Sequence, residues 1–373
     1  MRLIISREHL LKGLTVAGKA VGSKASFPIL MNFKLTLDEK GLTVLGGNNE
    51  LTISTLIPYM IEDKEIIRNT KHGSTLIGSK ILTEIIRRIE CDEVSITVVD
   101  DTIVKIEGGK SSFQLNSMKP EEYPEIDLEQ TGVVFDIDSR ELSKLVEQTS
   151  FAASAKEQRP ILMAVNLSAV DGKLVATATD SARLARKEID LEDEIEFSAN
   201  VPAKTLLEIT RMFESGGKVT TAVSDKKILF SFDSTLVSSR LINGEYPNTK
   251  NIIPKTFNYF LEVNSAQLVA AMERASLLSQ ERENVVKLTM TSNTLEVASR
   301  SAQIGSANET LSTFQFNGDI LEISFNSDYV ISAIKALKTE DVTIAFIGEM
   351  KPFVVKSDKD PSIVQLVTPV RTY

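Results

Sequence analysis

Few residues of this 373-residue chain have the types and spacing that catalysis needs. His9 and His72 are its only histidines, and neither belongs to an evident motif. The single cysteine, Cys91, has no companion at a spacing that would hold a soft metal. The pairs Asp100-Asp101 and Glu121-Glu122 offer acid/base chemistry, but adjacent acids in turns are mostly solvated.

Short glycine turns offer no phosphate-binding loop either. Gly46-Gly47, Gly108-Gly109 and Gly216-Gly217 all lack the spacing of a loop that opens a helix. Asp180, between a predicted strand and a turn, is typical of an acid that bonds to local backbone. We therefore predict a protein that is not an enzyme, with no metal and no cofactor.

The residues that do suggest chemistry are lysines and arginines at matched positions. With 100° per residue, they lie opposite the apolar stripe of each predicted helix, or just beyond the helix. Such cations contact phosphates without reading base sequence. The predicted DNA-facing residues are Lys12, Lys19, Lys24, Lys80, Arg87, Lys144, Lys156, Lys204, Arg211, Arg282 and Lys335.

The charge is segregated along the chain. The six helical segments together carry +5, although the whole chain carries −9. The remainder is therefore strongly acidic, which favours a nucleic-acid-facing surface on the helices over uniform solvation.

An internal repeat positions these cations. The apolar stripe Leu82, Ile85, Ile86, Ile89 recurs 124 residues later from Leu206 and again from Val330. Pro28-Ile29-Leu30 also recurs as Pro160-Ile161-Leu162, and Glu122-Tyr123-Pro124 as Glu245-Tyr246-Pro247. A period this long predicts three copies of a whole domain rather than a solenoid.

Each copy should contain a strand, an amphipathic helix, strands, a second helix and further strands. In the first copy the predicted strands are 3–5, 32–37, 42–46, 51–58, 94–99, 103–107 and 112–116, with Gly41 in a hairpin turn. The fold class is α+β, with antiparallel sheets and two helices per domain. We predict domains at 1–125, 126–253 and 254–373.

Composition is that of an ordinary globular protein, with 42% hydrophobic and 25% charged residues. The opening apolar run is too short for a secretory signal, and no stretch is long enough to span a bilayer. One cysteine excludes an intrachain disulfide and fits a reducing compartment, so we expect a cytoplasmic protein.

Several motifs, in order along the triplicated chain, resemble one family over essentially all 373 residues. They are Arg7-Glu8-His9-Leu10-Leu11, Pro28-Ile29-Leu30, Ala178-Thr179-Asp180, Arg183-Leu184-Ala185, Asn243-Gly244, Tyr246-Pro247, Phe325-Asn326, Tyr329-Val330, Ala336-Leu337-Lys338 and the ending Pro369-Val370-Arg371-Thr372-Tyr373. In these, the chain resembles the bacterial sliding clamps, the beta subunits of DNA polymerase III.

The resemblance implies a head-to-tail homodimeric ring around duplex DNA, with twelve helices lining the hole. It also implies a processivity factor that tethers the replicative polymerase and other replication and repair proteins. A separate clamp loader ATPase is a further implied partner, and no membrane is involved.

The resemblance further implies a cleft between the second and third domains that binds a short partner peptide. The matching positions are Leu162, Thr179, Ser181, Arg183, Leu184, Pro247, Ile252, Leu366, Thr368, Pro369, Val370 and Arg371. Apolar walls would bury anchor side chains, and a rim of hydroxyl and guanidinium groups would fix the peptide backbone. Ala182 stands where the family commonly has histidine or a larger residue, which implies a shallower wall.

The family's ring interface joins the first domain of one chain to the third domain of the other. Leu277 lies nearly opposite the stripe Leu268, Ala271, Met272, Ala275 and should be exposed. The resemblance assigns Leu277 and Leu278 to this interface, facing Phe113 of the second copy.

Three hypotheses follow from the sequence. The chain is a DNA clamp and docking platform, a three-domain scaffold that does not encircle DNA, or a hydrolase that uses Asp100 and Asp101. We favour the clamp.

Overall fold

The computed structural model describes residues 1–22, 27–100, 102–213, 216–249, 251–279 and 284–371. Within these ranges the chain forms six α-helices. They are α1 (Arg7–Gly18), α2 (Ser79–Arg88), α3 (Ser139–Glu147), α4 (Ala203–Thr210), α5 (Ser265–Ser276) and α6 (Ser327–Leu337).

The strands of the described residues are numbered in chain order. In the first third they are β1 (Arg2–Ser6), β2 (Asn32–Leu37), β3 (Gly41–Gly47), β4 (Leu51–Pro58), β5 (Met60–Ile61), β6 (Lys64–Glu65), β7 (Ile67–Lys71), β8 (Gly73–Gly78), β9 (Glu93–Asp100), β10 (Ile103–Gly108) and β11 (Ser111–Met118). In the middle third they are β12 (Val133–Asp138), β13 (Ala164–Val170), β14 (Lys173–Thr179), β15 (Arg183–Asp190), β16 (Phe197–Pro202), β17 (Lys218–Val223), β18 (Lys227–Phe232) and β19 (Thr235–Arg240). In the last third they are β20 (Tyr259–Asn264), β21 (Val285–Met290), β22 (Leu295–Ser301), β23 (Gly305–Leu311), β24 (Phe314–Asn317), β25 (Leu321–Asn326), β26 (Asp341–Phe346), β27 (Phe353–Lys356) and β28 (Ile363–Val367).

The chain divides into two compact units. Unit 1 comprises Met1–Ser139 and Glu208–Leu241, and unit 2 comprises Arg140–Leu207 and Ile242–Tyr373.

Unit 1 is built on one antiparallel sheet, which among its described residues has 13 strands. Their order is β12-β17-β18-β19-β4-β3-β2-β8-β11-β10-β9-β1-β7. Alternate residues of β2 are buried, which is the period-2 pattern of a half-buried strand. On this sheet α1 and α2 bury Leu10, Leu14, Leu82 and Ile86.

Among its described residues, unit 2 contains two sheets, of nine and four strands. One has the order β16-β13-β14-β15-β28-β27-β26-β20-β24, and the other has the order β23-β22-β21-β25. Its main core contains Leu268 and Met272 of α5 and Val330 and Ile334 of α6. Phe325, Phe346 and Phe353 fill the space between these helices and the sheets as a chain of tilted rings.

The predicted repeat is present in the structure. Helices α2, α4 and α6 begin at residues 79, 203 and 327, which keeps the spacing of 124 residues. The two Pro-Ile-Leu motifs form short 3-10 helices, Pro28–Met31 and Pro160–Met163. The exact domain bounds at 125 and 253 remain a prediction.

Local sequence accounts for several element ends. Asn264 and Asn326 cap α5 and α6, since their side-chain oxygens accept hydrogen bonds from the backbone N–H of Gln267 (3.1 Å) and Asp328 (2.9 Å). Gly41 begins β3 with a φ of 139°, and a Cβ there would lie 2.2 Å from the carbonyl oxygen of Ile57. The predicted turn therefore requires glycine.

Other predictions were incomplete. The strands β5, β6, β7 and β8 were missed, and α2 ends at Arg88 rather than near Glu90. In β7 only Ile67 is buried, so this strand lacks the alternation from which a strand can be predicted. In the described residues, no helix is both long enough and apolar enough to cross a membrane.

Candidate functional site

The cations predicted on the second helix of each repeat are exposed. Lys80 and Arg87 lie on α2, Lys204 on α4, Arg211 just after α4, and Lys335 on α6. The stripes opposite them are buried, with Leu82, Ile86, Leu206, Ile209, Val330 and Ile334 each at most 2% exposed. These helices are therefore amphipathic, with the cations on the faces away from the cores.

Three of these cations contact carboxylates. Arg87 is paired with Glu84 on the same helix, and Arg211 with Glu208 at 3.0 Å. Lys335 contacts Glu273 of α5 at 2.8 Å. All of these side chains remain partly or largely exposed, so the pairs lie on the helix surface.

The first-helix cations have more varied surroundings. Lys12 is exposed on α1, and Lys156 is exposed in the turn before the second Pro-Ile-Leu motif. Lys19 closes α1, where burial lowers its pKa, Glu208 raises it and Arg211 lowers it. Lys144 of α3 lies 3.5 Å from Asp360. Lys24 and Arg282 lie outside the described residues.

Asp360 belongs to a cluster that the sequence did not predict. The ammonium group of Lys187, whose side chain is only 3% exposed, donates to both Asp360 carboxylate oxygens (2.9 and 2.7 Å) and to the Ser362 hydroxyl (2.5 Å). Burial raises the pKa of Asp360, but hydrogen bonds from Lys187 and Ser362 and the nearby lysine charges outweigh this and lower it to about 2. The cluster ties the middle of β15 to the turn before β28.

The predicted cleft centres on the turn from β14 to β15. The Asp180 carboxylate accepts hydrogen bonds from the backbone N–H of Ala182 (2.9 Å) and Arg183 (3.0 Å). The Thr179 hydroxyl donates to the Arg183 carbonyl (2.6 Å) and accepts from the Ser181 N–H (3.1 Å). Ser181, with a φ of 81°, takes the left-handed conformation that this tight turn demands.

Arg183 is held more tightly than a rim residue would be. Its Nε donates to Asp180 at 3.0 Å, and its side chain is 16% exposed. The guanidinium carbon lies 4.6 Å from the ring centroid of Tyr329 and 5.5 Å from that of Phe151. The guanidinium group thus forms cation–π contacts with two aromatic rings.

The C-terminal segment joins this turn. Leu184 and Leu366 are partners in the pairing of β15 with β28, and both are buried with Val354. Thr368 donates its N–H (2.9 Å) and its hydroxyl (2.7 Å) to the Ala182 carbonyl. Val370 donates its N–H to Ser324 at 2.7 Å, and its side chain is exposed, as is Arg371.

Tyr246 connects two further parts of the predicted cleft. Its hydroxyl accepts from the Thr179 N–H (3.1 Å) and donates to the Ala164 carbonyl (3.4 Å), just after the 3-10 helix that contains Leu162. Burial raises the pKa of Tyr246 to about 12. Pro247 and Ile252 follow as exposed side chains, whereas Leu162 is buried.

The structure shows a different role for the hydroxyl and guanidinium groups that were expected at the rim of the predicted cleft. The hydroxyl hydrogens of Thr179 and Thr368 are already donated to backbone carbonyls, and Arg183 is engaged by Asp180 and two rings. These groups therefore shape the turn, while the exposed apolar surface comes from Pro247, Ile252 and Val370.

The sequence alone did not assign Phe151, Asp180, Tyr246 and Tyr329 to the cleft. Tyr246 and Tyr329 lie within the motifs Tyr246-Pro247 and Tyr329-Val330, and these motifs could have indicated that both residues lie near the predicted cleft.

Three family models match the chain in order. The N-terminal domain of the DNA polymerase III beta subunit matches residues 1–127, the central domain 136–248 and the C-terminal domain 250–371. The chain belongs to the DNA polymerase III beta subunit family, the sliding clamps.

Individual relatives match over full length. The beta sliding clamp of Halalkalibacterium halodurans is 35% identical and that of Bacillus subtilis 33% identical, each alignment covering all of both chains. The crystal structure of the Bacillus subtilis sliding clamp has a TM-score of 0.96 at 32% identity, again over all of both chains. That of the Streptococcus pneumoniae beta chain has a TM-score of 0.95 at 31% identity.

This sliding clamp chain has two strand edges that are relevant to the predicted interface. Between Ser111 and Asn116, β11 pairs with β10, and only its last two residues, Ser117 and Met118, pair with β8. In the described part of its four-stranded sheet, β23 is an edge strand that pairs with β22. Phe113 on β11 is 36% exposed.

Leu277, which follows α5, is 76% exposed, as its position opposite the stripe predicted, and Leu278 is half-buried.

The residues weighed for catalysis in this sliding clamp chain have local roles. The Ser6 hydroxyl and His9 Nδ1 are 2.9 Å apart, and the Tyr59 hydroxyl lies 3.3 Å from His72 Nε2. Asp100 accepts from the Thr102 N–H and hydroxyl, both at 2.8 Å, and Asp101 lies outside the described residues. Among the described side chains, no group of three or more His, Cys, Asp or Glu residues could hold a metal.

Proposed function

We propose that two copies of this chain close head to tail into a ring around duplex DNA. The ring acts as a non-catalytic processivity factor that tethers the replicative polymerase and other replication and repair proteins. The observation that carries the proposal is the threefold helix pattern of a sliding clamp, with cations on the helix faces opposite the cores.

In this ring the helices line the hole, and the predicted cations face the phosphates. Exposed cations at matched positions attract a backbone that carries one charge per about 1.7 Å of helix axis, whatever its base sequence. The contacts are few, so retention depends on the closed ring rather than on affinity. Because the remainder of the chain is acidic, DNA is discouraged from binding elsewhere.

The ring interface of the proposal joins the β11 edge of one copy to the β23 edge of the other. Open edges have unpaired backbone groups that a second copy can satisfy. Phe113 on β11, and Leu277 with Leu278 after α5, supply apolar area to exclude water at this junction. Three domains per chain, at 1–125, 126–253 and 254–373, give the ring six.

The cleft of the proposal binds a short peptide from each partner. The polar contacts of the 179–184 turn hold the site in place before a peptide arrives, which reduces the entropy cost of binding. Pro247, Ile252 and Val370 supply exposed apolar contacts. A clamp loader ATPase is the further partner that the proposal requires, and replication of a bacterial chromosome places the clamp in the cytoplasm.

Retention on circular DNA tests the proposal. The purified protein is loaded with its clamp loader onto nicked circular duplex, and half of the sample is then linearised with a restriction enzyme. We expect gel filtration to show protein on the circular DNA and dissociation from the linear DNA. Equal retention on both forms indicates ordinary binding, and retention on neither favours a scaffold that does not encircle DNA.

A further inference from the structure

In each of the three repeats, one predicted DNA-facing cation of the second helix forms an ion pair with a carboxylate. Arg87 pairs with Glu84 on α2, and Arg211, just after α4, pairs with Glu208 on that helix; the two residues of each pair are three positions apart. The two glutamates are themselves 124 residues apart, so they occupy the same place in the first two repeats. A repeat that needed only positive charge would gain from neutral residues there.

The third repeat reaches the same arrangement with a different residue. Its equivalent position is Ser332, which has no charge. Lys335 nevertheless contacts a carboxylate, that of Glu273 on α5, at 2.8 Å. Because this carboxylate comes from another helix, helix propensity and sequence duplication do not explain it.

The exposure of these pairs limits what they do for folding. Arg87, Arg211 and Lys335 have side chains 53%, 66% and 61% exposed, and ion pairs at such sites contribute little to stability. Their effect is larger on a charged molecule that approaches the same face. Glu208 also acts on Lys19: burial lowers the pKa of that lysine, and the charge of Glu208 partly offsets this decrease.

We propose that Glu84, Glu208 and Glu273 compete with DNA phosphates for the helix cations. In this way they lower the affinity of the clamp for duplex DNA and reduce its resistance to sliding. This inference rests on the proposed clamp function. A cation that binds a phosphate leaves its carboxylate, and it returns to that carboxylate when the phosphate moves on. The carboxylates lower the affinity of each bound position and stabilise the cation between positions, so the clamp slides with less resistance.

The test replaces all three carboxylates in the full-length protein, as Glu84→Gln, Glu208→Gln and Glu273→Gln. Fluorescence anisotropy measures binding of the unloaded protein to short linear duplex over a range of salt concentrations. We expect an affinity higher by about tenfold near 0.1 M salt, and a salt slope steeper by up to about 0.9 for each cation released. Single-molecule tracking of loaded clamps on end-blocked DNA should show diffusion that is several-fold slower.

A matched control changes total charge equally but leaves the helix faces intact. Glu93→Gln, Glu188→Gln and Glu322→Gln remove one strand carboxylate from each third, and these pair with Arg68 (2.6 Å), Lys173 (2.8 Å) and Lys287 (2.6 Å). We expect this variant to keep wild-type affinity, slope and diffusion. Thermal unfolding of both triple variants checks that they remain folded.

Two results overturn the inference alone. One is an unchanged affinity and slope in the helix variant, and the other is an equal change in both variants, which would mean that only total charge matters. In either case the wild-type protein still stays on circular DNA and dissociates from linear DNA. If the wild-type protein fails that retention test, the proposed function falls and the inference falls with it.

Discussion

Asp360 shows how one buried lysine lowers the pKa of a neighbouring carboxylate. Lys187 is almost fully buried, and a buried ammonium is tolerated only with a charged partner. That partner is Asp360, whose pKa falls from 3.8 to about 2. The cluster lies at the opposite end of the β15–β28 pairing from Leu184 and Leu366, and it therefore holds the strand that leads to the predicted cleft.

The depressed pKa of Asp360 predicts a specific dependence of stability on pH. An Asp whose folded pKa is lowered stabilises the fold above its ordinary pKa, and this stability disappears as pH falls through the folded pKa. The contribution here is on the order of 2 kcal/mol. We expect it to be present at pH 5 and above and to disappear between about pH 5 and pH 2.

Asp360→Asn should lower the free energy of unfolding at pH 7 by about that amount and flatten its decline below pH 5. Urea unfolding at several pH values measures both effects. Asp358→Asn is the control, because Asp358 is exposed two residues away and its replacement should cost less than about 0.5 kcal/mol. If the stability of Asp360→Asn declined below pH 5 as steeply as that of the wild type, the lowered pKa of Asp360 would be contradicted.

At the scale of elements, the C-terminal segment illustrates a site assembled from distant parts of the chain. The Thr368 hydrogen bonds to Ala182 and the β28 pairing with β15 hold the segment up to residue 368. Beyond that point Val370 donates one backbone bond, to Ser324. Residues 369–371 are therefore anchored lightly, and the side chains of Val370 and Arg371 are exposed, as the proposed peptide site requires.

Deleting residues 369–373 should weaken binding of a polymerase-derived peptide by tenfold or more, on the order of 1.4 kcal/mol. Fluorescence polarisation with a labelled peptide measures this decrease. The fold and the dimer should be unaffected, because the deletion removes no residue of β28. Wild-type peptide affinity in the truncated protein would place the peptide site elsewhere.

Element prediction succeeded where local periodicity was strong. The starts of α2, α4 and α6 repeat every 124 residues, and β2 has the predicted bounds because buried and half-buried residues alternate along it. The strand β4 also has the predicted bounds, although its first five residues are all buried. Prediction failed for β7, whose exposed Asn69, Thr70 and Lys71 are typical of a loop. The pairing of β4 with β19, about 180 residues later, leaves no local signal, since strand partners are chosen by tertiary packing.

In the candidate site, too, local features could be predicted from the sequence, whereas contacts between distant residues could not. The resemblance supplied the cleft residues, but not the stacking of Arg183 with Phe151 and Tyr329, which lie 32 and 146 residues from it in sequence. The helix cations followed from the angular spacing of residues around each helix, whereas the contact of Lys335 with Glu273 required the packing of α5 against α6.

At the scale of the whole molecule, the proposed ring depends on a junction between copies. Leu277→Asp places a charge on a side chain that is 76% exposed in the single chain and desolvated in the proposed dimer. Burial of an unpaired charge is costly, so we expect mostly monomer at micromolar concentration. Sedimentation velocity measures this, and Ile320→Asp, at another exposed apolar residue (65%), should remain dimeric. An intact Leu277→Asp dimer would refute the assigned interface.

Electrostatic attraction and ring closure should be separable in one experiment. Replacing Arg87, Lys156, Arg211 and Lys335 by glutamine should lower the salt slope of binding to linear duplex by up to about 0.9 for each phosphate that is no longer neutralised. Once loaded, however, this variant should stay on circular DNA as long as the wild type, because release requires the ring to open. Leu277→Asp should give the converse, because each chain keeps all of its cations but the protein should not be retained on circles. If the cation variant instead leaves circular DNA as fast as Leu277→Asp does, retention depends on charge, and the ring does not hold DNA by closure.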